Sequence, residues 1–471
     1  MKKLLSVLLC LTVFCAAFSQ TAYCAFYDPE NQSNESYQKK VDADIYYLFS
    51  ADDGSVICEK NIDKKAAPAS ITKVVTALVT IQNCEDLEKV ITVPSYTIRL
   101  LDGTNSSTAG ILVGEQMSVR ELLYCLLVYS ANDAANVLAD YIGGGSIEAF
   151  VAKMNEFAAS VGCTATHFSN AHGLDADDHY TTARDLGKIY KVCLENSIFT
   201  EIAGTARYEI PPTNMYKETR YLNNTNKMFS SGISDYYCKY VKTGKTGTTD
   251  NAGHCVITSA SGDGYNYICV VLNAPMYDCD NDGVEENMAF VTAKALYEWT
   301  FKYMRLCEVA NPSTYVGEMP VALSSKYDYV SLVPAKSVSA LIPSNLQSSD
   351  GSDKTGSVLI EPVGNLAESS VNAPVKKGDV LGKATIKYAD NVIAEIDLVA
   401  AFDVERSPVK YAGYLLKSLV SSSVFKIVFL LCIVVLLPLC IYVFVVLPKK
   451  KRKKKNTVRI VKMNDDDKRN K

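Results

Sequence analysis

Two long apolar runs lie at opposite ends of the chain, and both predict segments directed to a membrane. Leu4–Phe18 follows two lysines and precedes small side chains near position 24, which predicts a secretory signal peptide over 1–24; a retained N-terminal anchor is the alternative. Ile427–Leu447 carries no charged side chain and is long enough to span a bilayer. The lysine-rich run that follows predicts a cytoplasmic tail over 448–471, a protein body outside the membrane, and membrane lipid around the 427–447 helix.

Between these runs, the periodicity of apolar positions predicts one large mixed domain over 41–308, after a polar leader over 25–40 that is expected to be disordered. Ile45–Phe49 and Val56–Cys58 flank an Asp-Gly turn and predict a β hairpin. A second antiparallel pair is predicted at Gly253–Ala260 and Tyr265–Leu272. Helices are predicted at Val119–Val128, 134–141 and Met154–Val161, and a further strand is predicted at Tyr237–Val241. A long final helix is predicted at Asn287–Leu306.

From about Tyr315 the pattern changes to short β-branched runs separated by turns, such as Tyr329–Val333, 356–360 and 392–396. This spacing predicts a small, β-rich accessory domain over 315–408. Val409–Leu419 then predicts a short helix that leads to the membrane span.

Composition constrains the partners and leaves the disulfides open. The chain has 48 Lys and Arg against 52 Asp and Glu, and much of the positive charge lies in the tail. The exported body is therefore acidic, and nucleic acid is not an expected partner. Of 15 cysteines, ten lie between Cys58 and Cys307. Export favours disulfides, but no CxxC spacing occurs, and Cys125, Cys255 and Cys269 lie on predicted core segments where a free thiol packs well.

Candidate chemistry centres on Ser70 and Lys73, which are three residues apart at the start of an apolar helical segment. That spacing places both side chains on one helix face, where a neutral lysine can take the proton of a serine that attacks a carbonyl. Burial or nearby positive charge is needed to keep the lysine neutral. Ser-x-x-Lys alone is a weak signal, since it recurs at Ser36 and Ser423.

Two further motifs follow in order, Ser130-Ala131-Asn132 and Lys245-Thr246-Gly247. The ordered trio is typical of penicillin-binding proteins and class A β-lactamases. Cap-type residues around Ser130 interrupt the helical pattern, which predicts that Ser130 and Asn132 lie on a loop between helices. Lys-Thr-Gly also occurs at Lys242 and Lys354, but only the copy at Lys245 is followed by Thr-Thr-x-x-Ala-Gly.

No metal and no other cofactor is expected. Asp278–Gly283 opens like a calcium loop, but Ala289 stands where the last position of such a loop needs a glutamate. The three histidines between 167 and 179 lack a metal-ligand spacing on one element. We interpret that stretch as a structural loop before a helix capped by Thr181 or Thr182.

These motifs resemble those of the low-molecular-weight penicillin-binding proteins of the serine D-alanyl-D-alanine carboxypeptidase type, peptidase family S11. The resemblance covers about residues 40–306, and the stretch 373–380 is similar to the accessory domain of the same family. It implies an α+β fold of the serine β-lactamase and penicillin-binding-protein type: an antiparallel sheet flanked by helices, with a small all-β C-terminal domain and one transmembrane helix. The implied activity removes the terminal D-alanine from peptidoglycan stem pentapeptides in cell-wall maturation, with β-lactam antibiotics as covalent inhibitors.

The resemblance also implies a role for each matched residue. Ser70 is the nucleophile, Lys73 is its general base, and Ser130 relays a proton to the leaving amine. Backbone N–H groups of Ser70 and Thr248 form the oxyanion hole. Binding of the substrate amide and of the terminal carboxylate falls to Asn132, Lys245, Thr246, Gly247 and Thr248.

Other functions stay open at this point. A class A β-lactamase needs a glutamate for deacylation downstream of the Ser-x-Asn motif, and the corresponding stretch, 163–168, offers no carboxylate. A catalytically silent penicillin-binding sensor or interaction protein would keep the same fold. Endopeptidase or transpeptidase activity would use the same groups as the carboxypeptidase.

Overall fold

The computed structural model describes residues 41–229, 234–344, 358–388 and 391–446. These residues form two compact units. The first unit contains the described chain up to Cys307, together with the described residues within 339–357 and 388–391. The second unit contains the remaining described residues. The segments interpreted as signal peptide, polar leader and basic tail lie outside the described residues, as do Ser36 and Lys354.

The first unit combines strands with helices. Its strands are β1 (Ile45–Ser50), β2 (Val56–Lys60), β3 (Val90–Thr92), β4 (Gln116–Ser118), β5 (Arg207–Ile210), β6 (Arg220–Asn223), β7 (Val241–Thr249), β8 (Gly253–Gly262), β9 (Tyr265–Ala274), β10 (Met276–Tyr277) and β11 (Glu286–Asn287). Its helices are α1 (Lys73–Asn83), α2 (Ser95–Arg99), α3 (Val119–Leu127), α4 (Asn132–Ile142), α5 (Ile147–Ser160), α6 (Ala183–Leu194), α7 (Ser197–Ala203) and α8 (Met288–Tyr303). Single 3-10 turns occur at Ala69–Thr72 and Lys227–Phe229.

Five antiparallel strands form the central sheet, in the order β2-β1-β9-β8-β7. Along β1, Ile45, Tyr47 and Phe49 join one core and Tyr46 and Leu48 join another, because successive side chains of a strand point to opposite faces. Helices α1 and α3 to α7 pack into the first core, and α8 packs into the second. The sheet is thus covered by helices on both faces, with β7 at its edge, and the predicted α+β fold is confirmed.

Local sequence signals define where several helices begin. Ser118 and Glu121 form a capping box at the start of α3. Thr182 caps α6 by accepting the backbone N–H of Asp185, as predicted, and Asn287 caps α8 in the same way. The predicted hairpins at 45–58 and 253–272 are also confirmed, because the strands of each pair are antiparallel, with one register shift in each ladder.

Two helices begin earlier than the sequence predicts. Helix α5 begins at Ile147 rather than Met154. Helix α4 begins at Asn132, so Asn132 lies in a first helical turn and the prediction of a loop at this residue is wrong. The N-cap residue Ala131 has no capping side chain, and the Asn132 N–H instead donates to the Ser107 carbonyl. A tertiary hydrogen bond therefore replaces the local cap that the pattern predicted.

Two further boundaries differ from the prediction. The strand predicted over Tyr237–Val241 is wrong up to residue 240: those residues form turns, and β7 begins at Val241. The motif at Lys245 consequently lies within a strand rather than after one. Helix α8 ends at Tyr303 rather than Leu306, because the following residues, Met304–Ala310, pair as a strand with Val338–Pro343. Strand pairing here outweighs the apolar helical pattern.

The second unit contains the all-β domain, which confirms that part of the predicted fold. The strands from residue 304 onward are β12 (Met304–Ala310), β13 (Gly317–Ala322), β14 (Tyr329–Pro334), β15 (Val338–Pro343), β16 (Val358–Pro362), β17 (Val371–Asn372), β18 (Val380–Tyr388) and β19 (Asn391–Ala400). Six of them form one sheet in the order β16-β18-β19-β14-β13-β17, whereas β12 and β15 form a separate ladder. Val330, Leu332, Ala384 and Ile386 are among the buried residues of this unit.

Two helices end the described chain, α9 (Pro408–Ser421) and α10 (Ser423–Ile441), and a π-helical turn over Tyr442–Val446 follows. Helix α9 confirms the helix predicted at Val409–Leu419. Among the described residues, one helix, Ser423–Phe444, is long and apolar enough to cross a membrane, and α10 has no buried side chain. It is a candidate membrane anchor. The Ser-x-x-Lys match at Ser423 lies on this helix.

The twelve cysteines in the described part of the chain are all free thiols. Cys125, Cys255 and Cys269 are buried in the cores, where burial raises the pKa of all three, that of Cys255 to about 12. They pack as small apolar side chains, so no disulfide framework stabilises the described residues.

Candidate active site

Ser70 lies in the 3-10 turn that leads into α1, in agreement with the prediction of a helix start. Its neighbours Ala69, Ile71 and Thr72 are buried and anchor the turn, while the Ser70 side chain is only half-buried. The Lys73 amine, Nζ, lies 2.7 Å from Ser70 Oγ. It also donates a hydrogen bond to the carbonyl oxygen of His172, at 2.6 Å. The Ser-x-x-Lys spacing therefore becomes a direct contact.

Lys73 is fully buried, and this burial is the main reason why its pKa lies well below the ordinary value of 10.5. The charge of Lys245 lowers the pKa further, whereas the Asp133 carboxylate acts in the opposite direction. A neutral amine has a lone pair that can accept a proton from Ser70. The site thus provides the neutral lysine that the chemistry needs.

Ser130 and Lys245 form a second serine–lysine pair. Ser130 follows α3 in the left-handed region, with φ 66°, a conformation that non-glycine residues seldom adopt and that recurs at functional sites. Lys245, on β7, donates to Ser130 Oγ at 2.8 Å and to the Thr246 carbonyl oxygen at 2.8 Å. Burial lowers the pKa of Lys245 to about 7, so this side chain is partly charged near neutral pH.

Asn132 presents an unused acceptor at the start of α4. Its side-chain oxygen, Oδ1, is buried and has no hydrogen-bond partner among the described residues. A buried acceptor of this kind carries a desolvation cost until an N–H group reaches it. The neighbouring Asp133 carboxylate accepts backbone N–H groups of Ala109 and Ile111, at 3.1 and 3.0 Å. Asn132 can therefore receive an amide N–H of a ligand while Asp133 fixes the loop beside it.

Strand β7 continues past Lys245 with Thr246, Gly247 and Thr248. The Thr246 hydroxyl is 2.6 Å from the hydroxyl of Thr225, which follows β6. The Thr248 hydroxyl lies on the exposed side of the strand, 3.2 Å from Nδ1 of His254 on β8. Hydroxyl groups thus extend the site along the edge strand.

Two glycines allow backbone segments to approach the Ser70 turn. A Cβ atom at Gly173, which has φ 91°, would lie 1.9 Å from the Ala69 carbonyl oxygen. A Cβ atom at Gly247 would lie 3.0 Å from the Ser70 nitrogen. Neither position has space for a side chain. The turn that carries Ser70 is therefore held between main-chain segments on two sides.

Three residues at this site carry no motif signal in the sequence: Thr225, His172 and Gly173. Thr225 meets Thr246 only because the segment after β6 reaches β7 in the fold, and their separation of 21 residues follows no periodicity. His172 and Gly173 belong to the stretch interpreted as a structural loop, and burial lowers the pKa of His172 to about 3. Its contribution to Lys73 is a main-chain carbonyl, which any residue could supply.

The alternative Lys-Thr-Gly copies are not at this site in the described chain. Lys242 is exposed, and its Nζ atom lies 3.5 Å from the Lys239 carbonyl oxygen. Lys354 lies outside the described residues. Within the described residues, Lys245 is thus the lysine of such a motif that reaches Ser130.

The residues considered as metal ligands have other contacts. His167 Nδ1 bonds the Asp178 carbonyl oxygen and His179 Nε2 bonds the Thr72 hydroxyl. Carboxylate oxygens of Asp278 and Asp280, on the loop after β10, and of Glu286, on β11, lie within 4.8 Å of one another. The Asp278 carboxylate already accepts backbone N–H groups of its own loop. We assign no ion to either cluster.

A two-core helix–sheet–helix unit with paired serine and lysine side chains defines a serine peptidase of the penicillin-binding-protein class. The family described as D-alanyl-D-alanine carboxypeptidase, Peptidase S11, matches residues 31–276, more than half of the chain. The chain belongs to this family. A second family, described as penicillin-binding protein 5, C-terminal domain, matches residues 313–406.

Individual proteins give the same result. The chain is 29% identical over 412 residues to D-alanyl-D-alanine carboxypeptidase DacF of Bacillus subtilis, covering 86% of this chain and 96% of that protein. It is 28% identical to DacC of Escherichia coli, covering 84% and 90%. Among solved structures, penicillin binding protein 5 from Haemophilus influenzae matches with a TM-score of 0.53 and 25% identity, covering 78% of this chain and 98% of that one. The Streptomyces K15 DD-transpeptidase matches with a TM-score of 0.50 and 27% identity, covering 56% and 98%.

Proposed function

We propose that this protein, a serine D-alanyl-D-alanine carboxypeptidase, uses Ser70 to release the terminal D-alanine of peptidoglycan stem pentapeptides. One observation carries the proposal. Two buried lysines, Lys73 and Lys245, each lie within 2.8 Å of a different serine hydroxyl, those of Ser70 and Ser130. Such an arrangement supplies a base for the nucleophile and a proton donor for the leaving group.

Acylation begins when neutral Lys73 takes the Ser70 proton and Ser70 Oγ attacks the carbonyl carbon between the two D-alanines. The carbonyl oxygen becomes an oxyanion that the backbone N–H groups of Ser70 and Thr248 stabilise, each by about 3 kcal/mol. The C–N bond then breaks as the proton held by Lys73 reaches the leaving amine through Ser130. Free D-alanine departs, and the shortened peptide remains as an ester of Ser70.

Deacylation uses one water molecule. Lys73, neutral again, takes a proton from this water as its oxygen attacks the ester carbonyl. The bond to Ser70 Oγ breaks, and the proton passes from Lys73 back to the serine. The products are the free enzyme and a peptide with a new carboxylic acid, which ionises to a carboxylate and gives its proton to solvent or to the amine of the released D-alanine, so atoms and protons balance over the cycle.

Substrate recognition depends on the end of the peptide. The terminal carboxylate binds Lys245 and Thr246, and Thr225 holds the Thr246 hydroxyl in place. A bound carboxylate brings negative charge to Lys245, which raises its pKa from about 7 and keeps it protonated. The unpartnered oxygen of Asn132 accepts the amide N–H of the peptide. Gly247, which has no space for a side chain beside the Ser70 turn, brings the backbone of β7 next to the bound peptide.

The ends of the chain support a place for this reaction outside the cell membrane. A signal peptide over 1–24 exports the body, helix α10 crosses the bilayer, and the basic tail stays in the cytoplasm, in contact with membrane lipid. β-Lactam antibiotics carry a reactive amide and a carboxylate, so they acylate Ser70 and inhibit the enzyme. The protein then acts in cell-wall maturation.

The test is D-alanine release from a pentapeptide that ends in D-alanyl-D-alanine, by the full chain in detergent and by its Ser70→Ala variant. We expect release by the parent protein and at least a thousandfold less by the variant, since the nucleophile is lost. Covalent penicillin labelling is the control for an intact site in the parent protein, and an unchanged melting temperature is the control for the fold of the variant, which has no hydroxyl to label. No release by a parent protein that still binds penicillin covalently would contradict the proposal.

A transpeptidase is the second candidate, because the Streptomyces K15 DD-transpeptidase is among the similar structures. It would use the same acyl-serine but pass the peptide to an amine instead of water. Adding an acceptor amine to the same assay separates the two. If the transferred product greatly exceeds the hydrolysed product at millimolar acceptor, transfer is the main activity.

A further inference from the structure

A histidine lies beside the end of β7, and the proposed reaction gives it no role. Thr248, whose N–H the reaction uses in the oxyanion hole, is one residue from the end of this strand. His254 stands directly opposite Thr248 on β8, and side chains of directly opposite residues in a ladder are close neighbours. The Nδ1 atom of His254 is 3.2 Å from the Thr248 hydroxyl oxygen. The imidazole therefore contacts a residue of the site.

His254 has a second partner at the start of α8. The side-chain nitrogen of Asn287, Nδ2, lies 3.2 Å from the same Nδ1 atom. The orientation of the Asn287 amide is fixed, because its oxygen caps α8 by accepting the Ala289 N–H at 3.0 Å. The amide nitrogen can only donate, so His254 Nδ1 is the acceptor and the ring proton lies on Nε2. His254 thus joins the end of β7 to a helix that packs into the second core.

The hydrogen bond from Asn287 requires a neutral imidazole. His254 is half-buried, and burial lowers its pKa below the ordinary value of 6.5. The ring is therefore uncharged near neutral pH, and its Nδ1 lone pair faces both neighbours. The Thr248 hydroxyl also donates to the Gly247 carbonyl oxygen, at 2.8 Å. Two contacts thus restrain the Thr248 side chain, and this restraint limits how far the main chain at Thr248 can turn.

The direction of the Thr248 N–H matters because the donors of an oxyanion hole must be aligned. Such donors lie about 2.7–3.1 Å from the oxygen that becomes negative, and a displacement of about 1 Å can lower the rate about a hundredfold. In the described sheet β7 pairs with β8 alone, and β7 ends one residue after Thr248, at Thr249. A contact from the side is therefore needed to keep this N–H in place.

We propose that His254 is a positioning residue for the oxyanion hole. Through the Thr248 hydroxyl it keeps the Thr248 N–H in line with the oxygen that becomes negative, and Asn287 holds the imidazole in place. The inference rests on the proposed function, because the task of the Thr248 N–H comes from it. His254 acts through Thr248 and not on the substrate, so its loss should slow bond formation at Ser70 more than it weakens binding.

The test is acylation of Ser70 by penicillin, whose lactam carbonyl forms the same oxyanion, in the full chain in detergent. Rapid mixing over a range of penicillin concentrations separates the maximal rate constant from the half-saturating concentration. His254→Leu removes the acceptor at Nδ1. We expect its maximal rate constant to fall about tenfold, while the half-saturating concentration changes less than about twofold. An unchanged maximal rate constant would overturn the inference.

Two further histidine variants separate this role from a general loss of packing. His254→Asn places an oxygen at the δ1 position, where it can accept from both neighbours, and should keep the maximal rate constant within about threefold of the parent. An Asn variant as slow as the Leu variant would overturn the inference. His167→Leu is the matched control, because this half-buried histidine bonds the Asp178 carbonyl oxygen instead. It should leave both quantities unchanged.

A double-mutant cycle shows whether His254 acts through Thr248. Thr248→Val removes the hydroxyl but keeps the main-chain N–H, and it should slow acylation by about the same factor as His254→Leu. The double variant should be less than about twofold slower than the slower single variant, because both substitutions remove one contact. Effects that multiply in the double variant would mean that the two residues act independently, which contradicts the inference.

Melting temperatures report whether each variant is folded. If His254→Leu does not fold, Thr248→Val removes the same contact from the other strand, and a parent-like maximal rate constant in that variant would overturn the inference. Penicillin acylation is measured without D-alanine release. A parent protein that is acylated but releases no D-alanine would therefore contradict the proposed function and leave the result for His254 in force.

Discussion

Lys73 and Lys245 show how one site sets two basic groups to different tasks. Both amines are buried, and burial lowers the pKa of each; the charge of Lys245 also lowers the pKa of Lys73. Lys73 contacts Ser70 directly, so as a neutral amine it can act as the base for that serine. Lys245 has a pKa of about 7, so near neutral pH it is partly protonated and can attract an anion. The division of labour follows from position, since the two side chains are chemically identical.

The tandem lysines on β7 give a direct test of this assignment. Lys245→Ala should slow acylation of Ser70 by penicillin at least a hundredfold, because it leaves Ser130 and an incoming carboxylate without their cation, a loss of about 3 kcal/mol. Lys242→Ala should change the rate less than about twofold, since its side chain is exposed. Rapid-mixing measurements of penicillin labelling provide both rates. The reverse order of effects would assign the motif to Lys242.

The buried charge of Lys245 also predicts a dependence of stability on pH. Below about pH 7 this lysine is protonated in both the folded and the unfolded chain, and between about pH 7 and 10.5 only the unfolded chain keeps the proton. The free energy of unfolding therefore rises with pH in this window. Between pH 7 and pH 9 the parent protein should gain about 2 kcal/mol relative to Lys245→Met.

Urea unfolding of the first unit, followed by the fluorescence of its single tryptophan, Trp299, measures this gain. A difference between the two proteins that stays constant from pH 7 to pH 9 would mean that the pKa of Lys245 is not lowered.

At this scale the sequence predicts contacts that follow from local geometry and not those that depend on tertiary packing. The Ser70–Lys73 contact follows from helical spacing, and the distance of 2.7 Å between Lys73 Nζ and Ser70 Oγ agrees with it. The Thr225–Thr246 contact needs the segment after β6 to meet β7 in space, and the approach of Gly173 to Ala69 needs two distant segments to meet. Neither contact produces a residue spacing that can be recognised in the sequence.

At the scale of elements, the Ser70 turn is defined by what packs against it. Strand β7 and the loop after His172 approach the turn with glycines, so the contacts are between main chains. Hydrophobic periodicity predicted the strands and helices that form this arrangement, because each has one or two buried faces. It failed at Tyr237 and at Leu306, where turns and strand pairing decide the backbone.

Gly173→Ala tests the role of close main-chain approach. We expect at least a tenfold loss of penicillin acylation and a lower melting temperature, because the new Cβ atom would clash with the Ala69 carbonyl at 1.9 Å. Gly162→Ala is the control: its φ is also positive, at 77°, but nothing lies within 4 Å of the added atom. It should lose about 1 kcal/mol of stability from the strained backbone and keep its acylation rate. Equal losses in both variants would mean that backbone strain alone matters.

For the whole molecule, apolar patterning predicted an α+β unit, an all-β unit and an apolar final helix. The state of the cysteines could not be predicted, because whether a thiol is buried alone or meets a partner depends on packing between distant segments. All described cysteines are free. The described part of the chain therefore obtains its stability from its cores and not from covalent cross-links.

Helix α10 makes a prediction for the intact chain. After extraction of membranes at alkaline pH, the full chain should stay in the pellet. Alkaline pH weakens electrostatic attachment to lipid, but it does not release a helix whose apolar side chains lie in the bilayer. A chain that ends at Ser421 keeps α9 but lacks α10, and it should move to the supernatant. Immunoblotting of both fractions measures the distribution. Release of the full chain would indicate peripheral attachment instead.

Gly173 and Gly247 have a consequence for how this enzyme can evolve. Both positions face the nucleophile's turn with backbone alone, so almost every codon change there adds atoms where there is no space. Lineages that adapt their site to a new inhibitor or a new cell-wall peptide must do so elsewhere, at side chains such as the exposed Thr248. The inherited variation of this family should therefore concentrate around the site's rim, while its two glycines stay the same across descendants.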